Sequence, residues 1–294
     1  MKRAGHQKVK IVGFQSGHDV AYCILEDGIP IIHEELERIT RRKMEYGDGL
    51  KFFFSRQSKY NDIKYFTLGN YALGNMIRSV RYEAACRDKA SQDQMNKILS
   101  KNHGEFYEFG HHLCHGANAF YTSDFDRAII ISVDGFGLEE GLVPTALTID
   151  EGQDRKIKRV RIFDADKVHL GTIYNKSTKW IFRLSVGPPK GDQAGTVMAM
   201  AALGEPKYTD MFSYFEDNFS ELIRIARRSE QEKFNVAASL QAYTERTFYA
   251  HLRGYVKILN HENICFSGGV SLNSVMMGKI KKWFPKIKNI FCDP

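Results

Sequence analysis

No apolar run in the 294-residue chain approaches the ~20 residues that a membrane-spanning helix needs. Helical membrane spans are therefore excluded, and no membrane partner is expected. The N-terminus also lacks the apolar middle of a secretory signal. Met1 to Lys10 is basic and opens directly into Val9-Lys10-Ile11-Val12-Gly13-Phe14, the pattern of a strand. Cysteine is sparse: Cys23, Cys86, Cys114, Cys265 and Cys292 are odd in number, widely spaced and contain no C-x-x-C pair. That argues against a disulfide framework and for free thiols in a reducing compartment. The expected location is the cytoplasm, or the host cytoplasm if the chain is viral. There is no low-complexity segment and no short repeat.

What is present is an ordinary globular composition. The apolar fraction is 43%, and the length suits one large domain or two lobes of about 150 residues each. The formal charge of +7 permits an anionic partner. Its local clusters, Arg41-Arg42-Lys43, Lys156 to Arg161 and Lys279 to Lys288, read first as solvated faces.

Alternation predicts strands at 9–14, 20–26 and 29–35, the last two joined by the turn Glu26-Asp27-Gly28. A polar, helical or looped stretch follows through Lys43 and is broken at Tyr46-Gly47-Asp48-Gly49. Further strands are expected at 62–68 and 105–109, with helices over much of 73–100 and at 111–122. The pattern then restarts. Ala128 to Val133 is a continuous apolar strand, followed by strands at 141–149 and 157–163. Helices are expected near 172–183, 194–203 and 234–259, then a strand at 264–266, a helix from Val270 to Lys281, and a strand at 289–291. Three strands then helices, twice over, predicts two α/β lobes, about 1–125 and 126–294. Ligands in such sheets sit beyond the carboxyl ends of strands.

Four segments carry chemistry. His111 and His115, four apart, share one helix face with Cβ atoms roughly 5–6 Å apart. With Asp134 they make a two-histidine, one-carboxylate set with open positions. Ordinary helix histidines fit the same spacing, and it is the Asp134-Gly135-Phe136-Gly137 turn after a strand that favours a metal. Gly135 and Gly137 there suit a phosphate. His112 points about 100° away and is a weaker candidate, a nucleotide contact. Cys114 lies on another face and reads as core. Gly13-Phe14-Gln15-Ser16-Gly17-His18-Asp19 is a strand-end turn whose N–H groups suit phosphate, with His18 and Asp19 as proton donor or base. Ser267-Gly268-Gly269-Val270 links a strand to a helix, where the backbone admits an anion or a nucleobase edge, and Asn273 lies one turn in. Gly195 opens a small-residue helix, suited to a nucleotide wall or to helix packing.

These pieces together resemble one family. Gly17-His18-Asp19, Glu35 to Lys43, His111-His112-x-x-His115, Val133-Asp134-Gly135, Thr196-Val197-Met198-Ala199-Met200-Ala201 and Ser267 to Asn273 stand in the order and spacing of the NodU/CmcH carbamoyltransferases. The resemblance covers nearly the whole chain. It implies an actin/Hsp70/sugar-kinase-like fold related to Kae1. It also implies that carbamoyl phosphate and ATP form carbamoyl adenylate, whose carbamoyl group passes to an acceptor hydroxyl. A divalent metal is implied near the nucleotide phosphates, Fe2+ by the resemblance, with Mg2+ or Mn2+ as alternatives. By motif position, His111, His115 and Asp134 match metal ligands. Gly268, Gly269 and Asn273 match adenosine contacts. His18 lies toward the acceptor or carbamoyl group, and Arg42 or Lys43 toward carbamoyl phosphate.

In the family the chain continues past the strand matching Ile290-Phe291, through a small-residue loop whose aspartate is a fourth metal ligand, into a YrdC-like domain that makes the adenylate. Asp293 precedes a proline and does not match that aspartate. The expectation is a fold incomplete at its C-terminal end, with a second protein chain supplying the ligand and the YrdC-like domain, or else a fragment. The acceptor hydroxyl belongs to a small molecule or, given the charge, to a hydroxymethylated base in DNA. A tRNA threonylcarbamoyl-type transferase and a non-catalytic nucleotide-binding regulatory subunit are the competing readings.

Overall fold

A computed structural model describes residues 8–43, 45–58, 62–69, 88–139, 143–185 and 192–293. They form two compact units, one running up to the start of the helix at His111, the other from that helix onward. The division falls before that helix, whereas the apolar pattern predicts a lobe boundary near residue 125.

The first unit is built on β1 (Lys10–Gln15), β2 (Ala21–Glu26) and β3 (Ile29–Glu35). The β2–β3 turn holds Asp27 at φ +52° and Gly28 at φ +83°, the two left-handed positions of a tight hairpin. Helix α1 (Leu36–Thr40) stops at Arg41, itself left-handed. Helix α2 (Gly49–Arg56) did not show in the sequence pattern. Asp48 starts it by accepting the Lys51 N–H. Strand β4 (Ile63–Leu68) follows. Of the helix expected over 73–100, residues 73–87 lie outside the described residues, and the remainder falls in α3 (Lys89–Asn102), capped by Asp88. Strand β5 (Glu105–Glu108) completes a sheet in the order β3-β2-β1-β4-β5. Val12, Phe14, Tyr22, Phe53 and Phe66 form its core.

The second unit repeats that order. Helix α4 (His111–Thr122) leads into β6 (Arg127–Glu139), β7 (Val143–Gln153) and β8 (Lys156–Asp164), an antiparallel meander. Helices α5 (Leu170–Lys176), α6 (Ala194–Ala201), α7 (Phe215–Ala226) and α8 (Glu230–Leu259) precede β9 (Asn263–Ser267), which lies parallel to β6. Helix α5 runs on into a widened π turn over Ser177–Ile181. Helix α8 starts earlier than its apolar pattern because Ser229 accepts the Glu232 N–H at its first turn. Short helices α9 (Ser274–Met277) and α10 (Ile280–Trp283) lead to β10 (Asn289–Cys292), giving the order β10-β9-β6-β7-β8. Each sheet is therefore a three-stranded meander extended on one side by two parallel strands.

Two expectations need correction. Strand β6 does not end at Val133. It continues through Asp134 and Gly135 to Glu139, with its pairing to β7 shifted between Val133 and Gly137. The expected glycine turn is a β-bulge inside a strand. Nor does one helix span Val270 to Lys281. A 3-10 turn (Gly269–Leu272) gives way at Asn273, whose ψ of 88° is not helical and whose side chain caps α9.

Strand β6 positions the site. Ile129, Ile131 and Val133 face the large core with Leu240, Phe248 and Leu252 of α8. Ala128 and Ile130 face Ala119 and Phe120 of α4. A Cβ on Gly116 would meet Ser132 Oγ at 3.0 Å, and one on Gly152, paired with Ala128, would meet the Phe120 ring at 2.6 Å. Helix α4 thus runs antiparallel to β6, and its first turns lie over the stretch that carries Asp134.

Candidate metal centre

One ligand atom each from His111, His115 and Asp134 lie within 4.8 Å of one another, and all three side chains are half-buried. His115 Nε2 is 3.4 Å from Asp134 Oδ2. Donors about 2.1 Å from a common ion stand about 3.0–4.2 Å apart, so the set closes on an ion with small side-chain rotations. Two imidazoles and a carboxylate also suit a divalent transition metal chemically. The residues present fit the group.

The backbone around Asp134 is interlocked. Gly135 N–H donates to Asp134 Oδ1 at 2.7 Å, leaving Oδ2 toward His115. A Cβ on Gly171 would meet Gly135 Cα and N at 2.6 Å, and Thr172 Oγ1 donates to Gly135 O at 3.0 Å. On another side Gly268, at φ +92°, passes so close that a Cβ would meet Val133 O at 2.4 Å. A Cβ on Gly269 would meet Asp134 Oδ1 at 3.0 Å. Two chain crossings therefore hold one bulge. Ser267, buried at the end of β9, places its hydroxyl 3.4 Å from His115 Nδ1. The two nitrogens of His115 thus face different partners, an arrangement that orients a ligand imidazole.

Beneath α4 lies a buried charged cluster. Glu139 Oε1 accepts the His112 N–H at 2.5 Å, and its Oε2 accepts from Arg159 Nη2 at 3.1 Å. Arg159 Nε also bonds Asp150, which accepts from Thr148 Oγ1 at 3.2 Å. Burial pushes the Glu139 carboxyl up, but hydrogen bonds from His112 and the Arg159 charge outweigh it, and the group lies below its ordinary value. For Asp150 burial wins over Arg159 and Thr148, and the group lies above.

The other sequence candidates divide. His112 is 0% exposed with its Nδ1 3.4 Å from Glu139, so it is a core residue and not a surface nucleotide contact. Burial and the Glu139 charge push the Cys114 thiol up to about 12, keeping it neutral. Asn273 exchanges two hydrogen bonds with Gln241, at 3.0 and 2.8 Å, and caps α9 through Met276 N–H. Its amide already serves the protein, and Val270 beside it is half-buried. Gly137 is buried in the β6–β7 pairing opposite Thr145. Gly195 is exposed, with open space where a Cβ would stand.

His18, Asp19, Arg42 and Lys43 belong to the first unit. There Gly17 and Gly47 exchange backbone hydrogen bonds of 3.0 and 2.9 Å, and Gly49 N–H donates to Ser16 Oγ at 2.9 Å. This draws the two motifs together. His18 Nδ1 pairs with Asp19 Oδ2 at 2.6 Å, and its ring stands edge-on to Tyr46 at 6.1 Å. Arg42 pairs with Glu45 at 3.0 Å, and Lys43 is exposed. Sequence reasoning missed Gly171, Thr172, Glu139 and Arg159. A Gly-Thr pair at a helix start was the available signal for the first two. Glu139 and Arg159 gave none.

The family described as carbamoyltransferase N-terminus matches residues 69–218 and 209–294. The chain belongs to this family. The matched residues contain the whole His111/His115/Asp134 set. Uncharacterized protein sll1178 of Synechocystis is 28% identical over 220 residues, covering 63% of this chain and 33% of that protein. Nodulation protein NolNO of Sinorhizobium fredii is 26% identical over 191 residues, 58% of this chain and 26% of that protein. Uncharacterized protein MJ1051 of Methanocaldococcus jannaschii is 22% identical over 303 residues, 97% of this chain and 54% of that protein. The carbamoyltransferase-family chain thus spans between about a quarter and about half the length of these relatives. Among solved structures, HypF of T. kodakarensis superposes with a TM-score of 0.57 at 12% identity, over 98% of this chain and 46% of that one. A full-length HypF in a phosphate- and nucleotide-bound form gives 0.53 at 10% identity, over 98% and 53%. With the repeated sheet order, these superpositions show that the chain has a mixed α/β fold shared with HypF.

Proposed function

We propose that this chain is the transferase part of an ATP-dependent O-carbamoyltransferase, receiving carbamoyl adenylate made from carbamoyl phosphate and ATP and passing its carbamoyl group to an acceptor hydroxyl, with AMP as the leaving group. The observation that carries the reading is the His111/His115/Asp134 set inside the residues matched to the family. A bound divalent metal, Fe2+ by family resemblance, would supply positive charge beside the nucleotide phosphates. His111 and His115 would hold it through ring nitrogens and Asp134 through Oδ2, while the Gly135 N–H keeps Oδ1 in place. Three protein donors leave open positions for further ligands. By resemblance, one is a carboxylate outside the described residues, and the adenylate comes from a YrdC-like domain.

The exposed His18–Asp19 pair is suited to accept the proton that the acceptor hydroxyl loses. Asp19 orients the ring through Nδ1. By resemblance, Arg42 or Lys43 lies toward the side on which carbamoyl phosphate is used. The acceptor is a small-molecule hydroxyl or a hydroxymethylated DNA base. The DNA arm requires binding that weakens steeply with salt, and no DNA binding at low salt removes it.

The test uses the whole protein with carbamoyl phosphate, ATP and Fe2+. His115→Ala should lose bound metal and slow carbamoyl transfer by more than about 100-fold. Unchanged transfer by that variant would remove the metal from the reaction.

A further inference from the structure

Glu139 has no part in the proposed chemistry. It is nonetheless 2% exposed, at the last residue of the strand that carries Asp134. A buried carboxylate is costly unless its oxygens are partnered. Those partners are specific here: the His112 backbone N–H on one oxygen and Arg159 on the other. Arg159 is in turn held by buried Asp150, and Asp150 by Thr148.

The first N–H groups of a helix have no acceptor within it. His112 is the second residue of α4, so Glu139 supplies the missing acceptor, and its charge suits the positive end of the helix dipole. The same turn bears His111, and His115 stands one turn on. Starting the helix one residue later would free His111 from it, and fraying the first turn would separate the two rings. The even-numbered residues Ala128 and Ile130 of β6 face α4. Glu139 is odd-numbered and would face away in an unbroken strand. It reaches α4 beyond the irregular stretch between Val133 and Gly137. One strand thus offers a ligand to the histidines and, past its bulge, an anchor to the helix that bears them.

We infer that Glu139 is the positioning residue for the His111/His115 pair, with Arg159 holding its carboxylate. The inference rests on the metal reading proposed above. A purely structural role for the cluster predicts something else: lower stability, with unchanged metal affinity in whatever protein remains folded.

The experiment titrates Co2+ into the metal-free protein, read by visible absorption, and measures hydrogen exchange of the 111–122 peptide without metal. Glu139→Leu removes the acceptor. It should weaken Co2+ binding about 10–100-fold and speed exchange in the first helical turn. Glu139→Gln keeps an acceptor oxygen for the His112 N–H and should stay within a few-fold of wild type. If the leucine variant does not fold, Arg159→Gln carries the test, with an expected loss of about 3–10-fold. A folded Glu139→Leu or Arg159→Gln protein with wild-type Co2+ affinity and unchanged exchange overturns the inference. His115→Ala separates the two levels. If it abolishes Co2+ binding while the Glu139 and Arg159 variants do nothing, only the positioning role falls. If it leaves binding intact, the metal reading falls and takes the positioning role with it.

Discussion

The two sheets share one strand order, β3-β2-β1-β4-β5 and β8-β7-β6-β9-β10, but the exits of their central strands are built differently. Beyond β1, Gly17 turns at φ +98° into an exposed His18–Asp19 pair, and a Cβ there would meet nothing within 4 Å. Along β6, Asp134 sits in a bulge pressed by Gly171 from α5 and by Gly268, at φ +92°, from the end of β9. Nearly the same backbone angle serves an open turn in one unit and a backbone crossing in the other. Repeated topology therefore creates equivalent positions without equivalent surroundings. Both exits carry a backbone crossing, where a Cβ on Gly49 would meet Gln15 O at 2.3 Å and one on Gly268 would meet Val133 O at 2.4 Å, but the second lies beside the His111/His115/Asp134 set.

The largest expected effect comes from giving both glycines a methyl group. At Gly17, alanine meets only the cost of a left-handed conformation, about 1–2 kcal/mol. At Gly268 the same strain is joined by contact at 2.4 Å with the Val133 carbonyl, which cannot move without disturbing β6 between β9 and β7. Gly268→Ala should cost more than about 3 kcal/mol and abolish Co2+ binding, whereas Gly17→Ala should leave Co2+ binding intact. Urea unfolding and Co2+ titration of the two variants check this. Equal losses would break the comparison.

The difference between the exits also shows what the sequence could reveal. The hairpin at Asp27-Gly28, the apolar run from Ala128 and the 111–122 helix are local patterns, and local periodicity is enough to place them. The His111/His115 spacing was legible for the same reason, since four residues on one helix fix a shared face. The bulge at Asp134 was not, because a glycine pair after an apolar run fits a turn and a bulge equally well. The break in the helix expected from Val270 escaped too. It depends on Gln241, far away in α8, taking up the Asn273 amide. Glu139 was invisible because its meaning lies in a hydrogen bond to a residue 27 positions earlier.

Acid should act on the second unit through Glu139. Its carboxyl lies below the ordinary value of 4.5 in the folded protein. The stability it contributes is therefore present above that value and lost as the pH falls through its folded value. Asp150 has the opposite sign, because burial raises it, and its contribution is lost as pH rises through its folded value. The melting temperature should thus drop on acidification below about 4.5, and Glu139→Gln should flatten that drop. A profile of equal steepness in wild type and Glu139→Gln would assign the acid sensitivity elsewhere, for example to Glu34 of the first unit, which Arg56 and Tyr22 also hold low.

The smallest effect is expected at Cys114, which shares α4 with the metal candidates. It precedes His115 by one residue and so points about 100° away around the helix. Its thiol is pushed up to about 12 by burial and by the Glu139 charge, so a metal would have to displace a firmly held proton to bind it. Cys114→Ala should leave Co2+ affinity within about 2-fold of wild type. The wild-type Co2+ spectrum should lack the near-ultraviolet charge-transfer bands that a thiolate ligand produces. Iodoacetamide at pH 8 should label exposed Cys292 well before Cys114. Charge-transfer bands that vanish in Cys114→Ala would make the thiol a fourth donor and redraw the site around α4 instead of β6.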